Sequence, residues 1–193
     1  MTTKNNALAF KVGEKVVYPT HGVGEITAVE EQEVAGFKLE LFVITFDKDR
    51  LTVRIPLAKA RNSGLRKVSE PVVVQQALEI LSTRAKAKRG MWNRRANEFQ
   101  ERMSTGQLTA IAEVLRDLNR GSEQQEASYS EQQIFEGALD FMTREIAAAS
   151  QVTSTEARKL IEQSLTKAPH LNKTDKPATS DGEPDGSDDQ AVA

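Results

Sequence analysis

The stretch Glu25-Ile-Thr-Ala-Val-Glu-Glu-Gln-Glu-Val-Ala-Gly-Phe-Lys-Leu-Glu-Leu-Phe-Val-Ile-Thr-Phe46 decides the fold. Two runs, Glu25 to Val34 and Phe37 to Phe46, flank Ala35-Gly36, the pattern of a β-hairpin. Side chains alternate across a strand, so Phe37, Leu39, Leu41 and Val43 fall on one face of the second run and Phe42, Ile44 and Phe46 on the other. Both faces are apolar towards its end. This predicts a central strand of a small, strongly curled sheet, covered on both sides there. Upstream, Lys15-Val-Val-Tyr18 is a short apolar run closed by Pro19, and Gly22 and Gly24 suit the turn that follows. Downstream, Asp47-Lys-Asp-Arg50 is a polar turn into Leu51-Thr-Val-Arg-Ile55, stopped by Pro56. Four or five short strands in roughly fifty residues predict an SH3-like or Tudor-like small β-barrel.

From Ser69 the apolar period becomes helical. Pro71 suits a first helical position, and Val74, Ala77, Leu78 and Leu81 form one stripe. After Gly90, Trp92, Ala96, Phe99 and Met103 make a second stripe, which Ser104-Thr-Gly106 ends. Leu108, Ile111, Leu115 and Leu118 make a third, stopping by Gly121, and Ser122 to Ser128 reads as a polar loop. Ser130 with Gln133 reads as a capping box for a long helix to about Ala148, with Ile134, Ala138, Phe141 and Met142 facing inward. Thr153 with Glu156 opens a last helix through Leu160, Ile161 and Leu165, closed by Pro169. The fold class is therefore α+β, with the barrel over residues 1–68, an all-α domain over 69–171 and a tail over 172–193. The tail is too poor in apolar side chains to offset the entropy of ordering, so a disordered acidic tail is expected.

The composition excludes more than it selects. Among 193 residues there is no cysteine and there are two histidines, His21 and His170, so thiol chemistry, Cys-based zinc sites and histidine relays have little to draw on. The chain holds no phosphate-binding glycine loop, no dinucleotide fingerprint, no nucleophile elbow and no zinc-protease helix motif. An enzyme is not expected; no cofactor, metal site or catalytic residue is assigned. His21, among turn residues, reads as a local hydrogen-bonding group, and Asp47 with Asp49 as a solvated hairpin tip. No apolar run approaches the roughly 18 residues of a membrane span and the N-terminus lacks a signal-peptide pattern, so a cytoplasmic protein without membrane contact is expected.

Charge points to a partner. The net charge of −2 conceals a tail, residues 174–193, with one basic and six acidic side chains. Between residues 84 and 102, Arg84, Lys86, Lys88, Arg89, Arg94, Arg95 and Arg102 meet only Glu98 and Glu101. Such a patch can neutralise phosphates and release their counterions, or it can be a solvated helix face. Trp92, the sole tryptophan, stands among these charges like a minor-groove wedge. It also heads the stripe of Ala96, Phe99 and Met103, and periodicity alone favours its burial.

Four strings in order, Phe10-Lys-Val-Gly-Glu-Lys-Val-Val-Tyr-Pro-Thr-His-Gly-Val-Gly24, Leu51-Thr-Val-Arg-Ile-Pro56, Trp92-Asn-Arg-Arg95 and Glu113-Val-Leu-Arg-Asp-Leu118, resemble the CarD family of bacterial transcription regulators, in its short, CdnL-like branch. The resemblance covers residues 10–148. It implies a Tudor-like domain that binds the β subunit of RNA polymerase and a helical domain placed on promoter DNA at the upstream edge of the melted bubble, where it stabilises the open complex without base-specific readout. It implies that Trp92 enters the minor groove, which reverses the preference from periodicity, with Arg94, Arg95, Lys88 and Arg89 on the phosphate backbone. Arg54, with Thr52 beside it and Val34 on the partner hairpin, is implied in polymerase contact. Gln132 and Gln133 stand where relatives often carry basic residues, so that helix is not expected to touch DNA. A monomer, nucleoid-associated through polymerase, is expected. Two other readings use the same features: an architectural DNA binder that acts without polymerase, and a barrel like that of transcription-repair coupling factors, against which the lack of helicase motifs argues.

Overall fold

The computed structural model describes residues 10–34, 36–48, 50–60, 62–86, 91–119 and 128–168. Strands β1 (Lys15–Tyr18), β2 (Gly22–Val34), β3 (Phe37–Phe46) and β4 (Leu51–Pro56), a one-turn helix α1 (Leu57–Ala60) and a short β5 (Arg66–Lys67) precede helices α2 (Pro71–Leu81), α3 (Trp92–Ser104), α4 (Leu108–Leu118), α5 (Tyr129–Ser150) and α6 (Ser154–Lys167). The strands form one antiparallel sheet in the order β4-β3-β2-β1-β5.

The hairpin of β2 and β3 organises the sheet as its alternation predicts. Leu41, Phe42, Val43 and Ile44 are all buried, whereas Phe37 to Glu40, nearer the turn, are exposed. Phe42, Ile44 and Phe46 join Val16, Ile26, Ile55 and Leu65 in the core, and Phe10 meets Phe42 edge to face at 6.0 Å. On the other face Arg54, paired with Val43, reaches Glu30, paired with Leu41, at 3.1 Å. The register slips between Ile26 and Ala28, which leaves Thr27 as an extra residue whose hydroxyl donates to the Val43 carbonyl at 3.2 Å. Gly24 is required by packing: a Cβ there would lie 2.7 Å from Phe46 Cε1 and 3.0 Å from Ile44 Cγ2.

The helices enclose a second core. Val74, Ala77 and Leu81 of α2, Phe99 of α3 and Ile134, Ala138 and Met142 of α5 converge on α4, while Ala157, Ile161 and Leu165 of α6 extend the same core against α5 and α2. On α4 the expected stripe widens, because Ala112, Val114 and even Arg116 are buried along with Leu108, Ile111, Leu115 and Leu118. Two boundaries differ from expectation. The capping box of α5 is Ser128 with Glu131, not Ser130 with Gln133: the Ser128 hydroxyl accepts from Glu131 N, and the Glu131 carboxylate accepts from Ser128 N at 3.3 Å. A carboxylate near a helix start also meets the positive end of the dipole, which a glutamine cannot exploit as a charge. The same helix runs on to Ser150 and ends at Gln151 in the left-handed region. The box of Thr153 and Glu156 on α6 is as expected, but Leu160 is exposed. His21 stacks on Tyr18 at 5.8 Å and lies 5.2 Å from Phe46. Asp49, Gly90, residues 120–127 and the tail lie outside the described residues.

The sheet is keyed to the helices by one buried carboxylate. Glu145 of α5 is fully buried and accepts from Arg66 at 2.6 and 2.7 Å, from Ser69 Oγ at 2.6 Å and from Ser69 N at 3.2 Å. Arg66 also donates from Nε to the Gly106 carbonyl at 2.9 Å. Gly106, at φ +64°, lets Pro19 approach so closely that a Cβ would sit 3.1 Å from Pro19 Cα. At the surface Lys48 pairs with Asp140 of α5 at 2.6 Å, and Arg144 pairs with the same carboxylate.

Removing one partner of a buried pair strands the other, so Glu145→Ala is expected to lower the unfolding free energy by about 3–5 kcal/mol in urea titration, against at most about 1 kcal/mol for Lys48→Ala at the exposed pair. For Asp140, burial favours the neutral carboxyl, but hydrogen bonds and charge from Arg144 and Lys48 outweigh it and hold the group below its usual range. A depressed carboxylate stabilises the fold above its unfolded pKa and loses that contribution as pH falls through the folded value. Asp140→Asn should therefore flatten the acid limb of the stability profile, followed by melting temperature from neutral to acid pH.

Candidate functional site

Trp92 is the first residue of α3, with Met91 at the N-cap. It is neither core nor free. The indole is half-buried, packs against the helical core and lies 6.5 Å from the Phe99 ring. The Arg95 guanidinium sits 5.6 Å from the centre of the indole and 6.0 Å from that of Phe99, within cation–π range of both. Arg95 Nε is buried with no hydrogen-bond partner among the described residues, so the rings are its principal support. The indole N–H donates to Ser130 Oγ at 2.8 Å, across from the start of α5. Met91 and Tyr129, the chain neighbours of these two residues, are among the most exposed large apolar side chains.

The basic segment divides into two kinds of charge. Arg94 is 83% exposed and only loosely paired with Glu98 at 3.6 Å, so it faces solvent beside Trp92. Lys86 is exposed as well. Arg102 turns instead towards Glu113 and Asp117 of α4, each at 3.6 Å, and serves the fold. Lys88 and Arg89 lie outside the described residues.

Asp117 escaped the sequence reading except as a letter in a motif. Its carboxylate is almost wholly buried, accepts from Arg116 at 2.7 and 2.9 Å, and accepts from the backbone N–H of Lys86 at 3.1 Å. Arg116 donates in turn to Thr83 Oγ1 at 3.2 Å. An ion pair on α4 thus fastens the chain between α2 and the basic segment. The signal was an adjacent Arg-Asp pair inside an otherwise apolar stripe, a place where charges need partners. Ser130 was read as a helix cap, and nothing in its neighbourhood announces a tryptophan 38 residues earlier.

The second expected surface lies on the sheet. β4 is an outer strand, bonded only to β3 within the sheet order. Thr52 pairs with Thr45 and Arg54 with Val43, so the two share a face with Leu39 and Phe37 of β3, while Val34 pairs with Phe37 at the far end of the hairpin. Arg54 is half exposed despite its pair with Glu30, and Phe37 is 73% exposed.

Among the described residues no group of histidine and carboxylate side chains could hold a metal ion, and no helix is long and apolar enough to cross a membrane.

Comparison with known proteins matches both halves. The CarD-like/TRCF RID domain family matches residues 10–69 and the CarD C-terminal domain family residues 76–162. A Bacillus subtilis (strain 168) protein described as "Putative transcription factor YdeB" is 28% identical over 149 residues, which cover 77% of this chain and 97% of that protein. With its sheet and its helical domain each matched, in the same order, the chain belongs to the CarD family.

Proposed function

We propose that this chain is a transcription regulator that binds the β subunit of RNA polymerase with its sheet and promoter DNA with its helical domain, at the upstream edge of the bubble. The observation that carries the reading is the setting of Trp92: a half-exposed indole at a helix start, beside an outward Arg94 and under Arg95, on a domain keyed to the sheet through Glu145. An aromatic plane inserted at a base step offsets part of the unstacking cost by its own contacts. Arg94, Arg95, Lys88 and Arg89 contribute to phosphate contact, which positions the wedge without reading sequence. Arg54, Thr52 and Val34 form the polymerase contact. An outer strand carries backbone donors and acceptors to which a partner strand can add. Because the two parts are locked together, docking the sheet fixes where the indole meets the duplex. The protein then slows collapse of the open complex rather than choosing a promoter.

Arg54→Glu is expected to fold normally, since its side chain is on the surface, and to lose polymerase binding by about 2–5 kcal/mol, the range for one member of a charged interface pair. Pull-down of the β subunit at wild-type strength by this variant would remove Arg54 from the interface. If duplex binding instead proves equally tight with and without polymerase, the chain acts as an architectural DNA binder.

Trp92→Ala should cost less than the roughly 3–5 kcal/mol of a fully buried tryptophan, because part of the ring already meets water. Heparin-challenged open complexes should nonetheless decay faster with this variant, although polymerase still binds it. A fully core-like loss of stability in denaturant, or an unchanged lifetime with a folded variant, would overturn the wedge.

A further inference from the structure

We propose that Ser130 is the positioning residue for the Trp92 indole, holding the ring in the pose it presents to DNA; this rests on the wedge reading above. Among the described residues three side chains, Arg95, Phe99 and Ser130, make specific contacts with the indole, and they act differently. Arg95 lies over its face and Phe99 beside it, and neither contact distinguishes the two orientations related by a half-turn of the ring about its Cβ–Cγ bond. Only the 2.8 Å bond from the indole N–H to Ser130 Oγ fixes which edge points inward and which outward. An indole nitrogen donates and never accepts, so the bond has one polarity and one direction. Ser130 must accept with its oxygen, leaving its own hydrogen for another acceptor, and Ser128 Oγ stands 3.2 Å away.

Ser128 is itself fixed. Its hydroxyl accepts from Glu131 N as the cap of α5. The indole is thereby tied, through two hydroxyls, to the start of a 22-residue helix whose other half carries Glu145 and so the sheet. The pose of the wedge is set by the same helix that holds the polymerase-binding half in place. Ser130 takes no part in the capping box, which Ser128 and Glu131 complete without it, and its side chain is exposed. Substituting it leaves the helix start intact.

The sole tryptophan makes the test direct, because intrinsic fluorescence reports Trp92 alone. Ser130→Ala in the full-length protein should red-shift the emission and lower its anisotropy, with an unchanged melting temperature. It should shorten the lifetime of heparin-challenged open complexes about three- to tenfold, the scale of one hydrogen bond, while β-subunit binding stays at wild-type strength. Ser130→Thr keeps the hydroxyl and should restore both emission and lifetime, which a role confined to helix stability would not explain. Unchanged emission, or an unchanged lifetime alongside a shifted emission, overturns the assignment of Ser130 while leaving the wedge standing if Trp92→Ala still shortens the lifetime. If Trp92→Ala leaves the lifetime unchanged, the wedge falls and the role of Ser130 with it.

Discussion

The contact between Arg66 and Glu145 is the constraint on which the rest depends. A carboxylate withdrawn wholly from water is tolerable only if its lone pairs are filled, and here two guanidinium donors, a hydroxyl and a backbone N–H fill them. Arg66 is also a strand residue, paired with Val17 where β5 completes the sheet. The side chain that fills the helical domain's buried acceptor thus grows from the backbone that finishes the other domain. Pro19 on Gly106 and Phe141 beside Gly22 are the close contacts that this placement brings about. Such a pair adds little net stability over an apolar contact of the same size, but it permits one geometry only.

Much of this was legible in advance because it depends on short-range periodicity. Alternation in residues 25–46 predicted the central hairpin, and the stripes of α2, α3, α4 and α6 emerged at helical spacing. What was illegible lies either in segments too short to have a period or in contacts between residues distant in the chain. β5 has two residues and α1 has four, and neither leaves a pattern. Arg66 and Glu145 stand 79 positions apart. For α5 the sequence pattern points to Ser130 with Gln133, whereas Ser128 caps the helix because Glu131 returns a bond to the cap backbone.

For the proposed site, the sequence locates the basic segment but not which of its charges face solvent. The basic segment counted seven cations, yet Arg102 is engaged by α4 and Arg95 lies on two rings. A linear charge count treats these as equivalent to Arg94, which faces solvent. Likewise burial and exposure are not alternatives for the tryptophan, whose indole is half-buried and packs against the helical core.

The outer strand β4 has a consequence for self-association. A free strand edge invites a second copy to continue the sheet, so an outer strand needs some guard against fibres. β4 spans only six residues and ends in Pro56, which has no N–H to give. Its exposed cation adds to that guard in one register: two copies meeting edge to edge in antiparallel fashion with Arg54 opposite Arg54 would bring the two guanidinium groups together. Shortness, a terminal proline and a like-charge clash in that register together make the edge a poor template for its own twin.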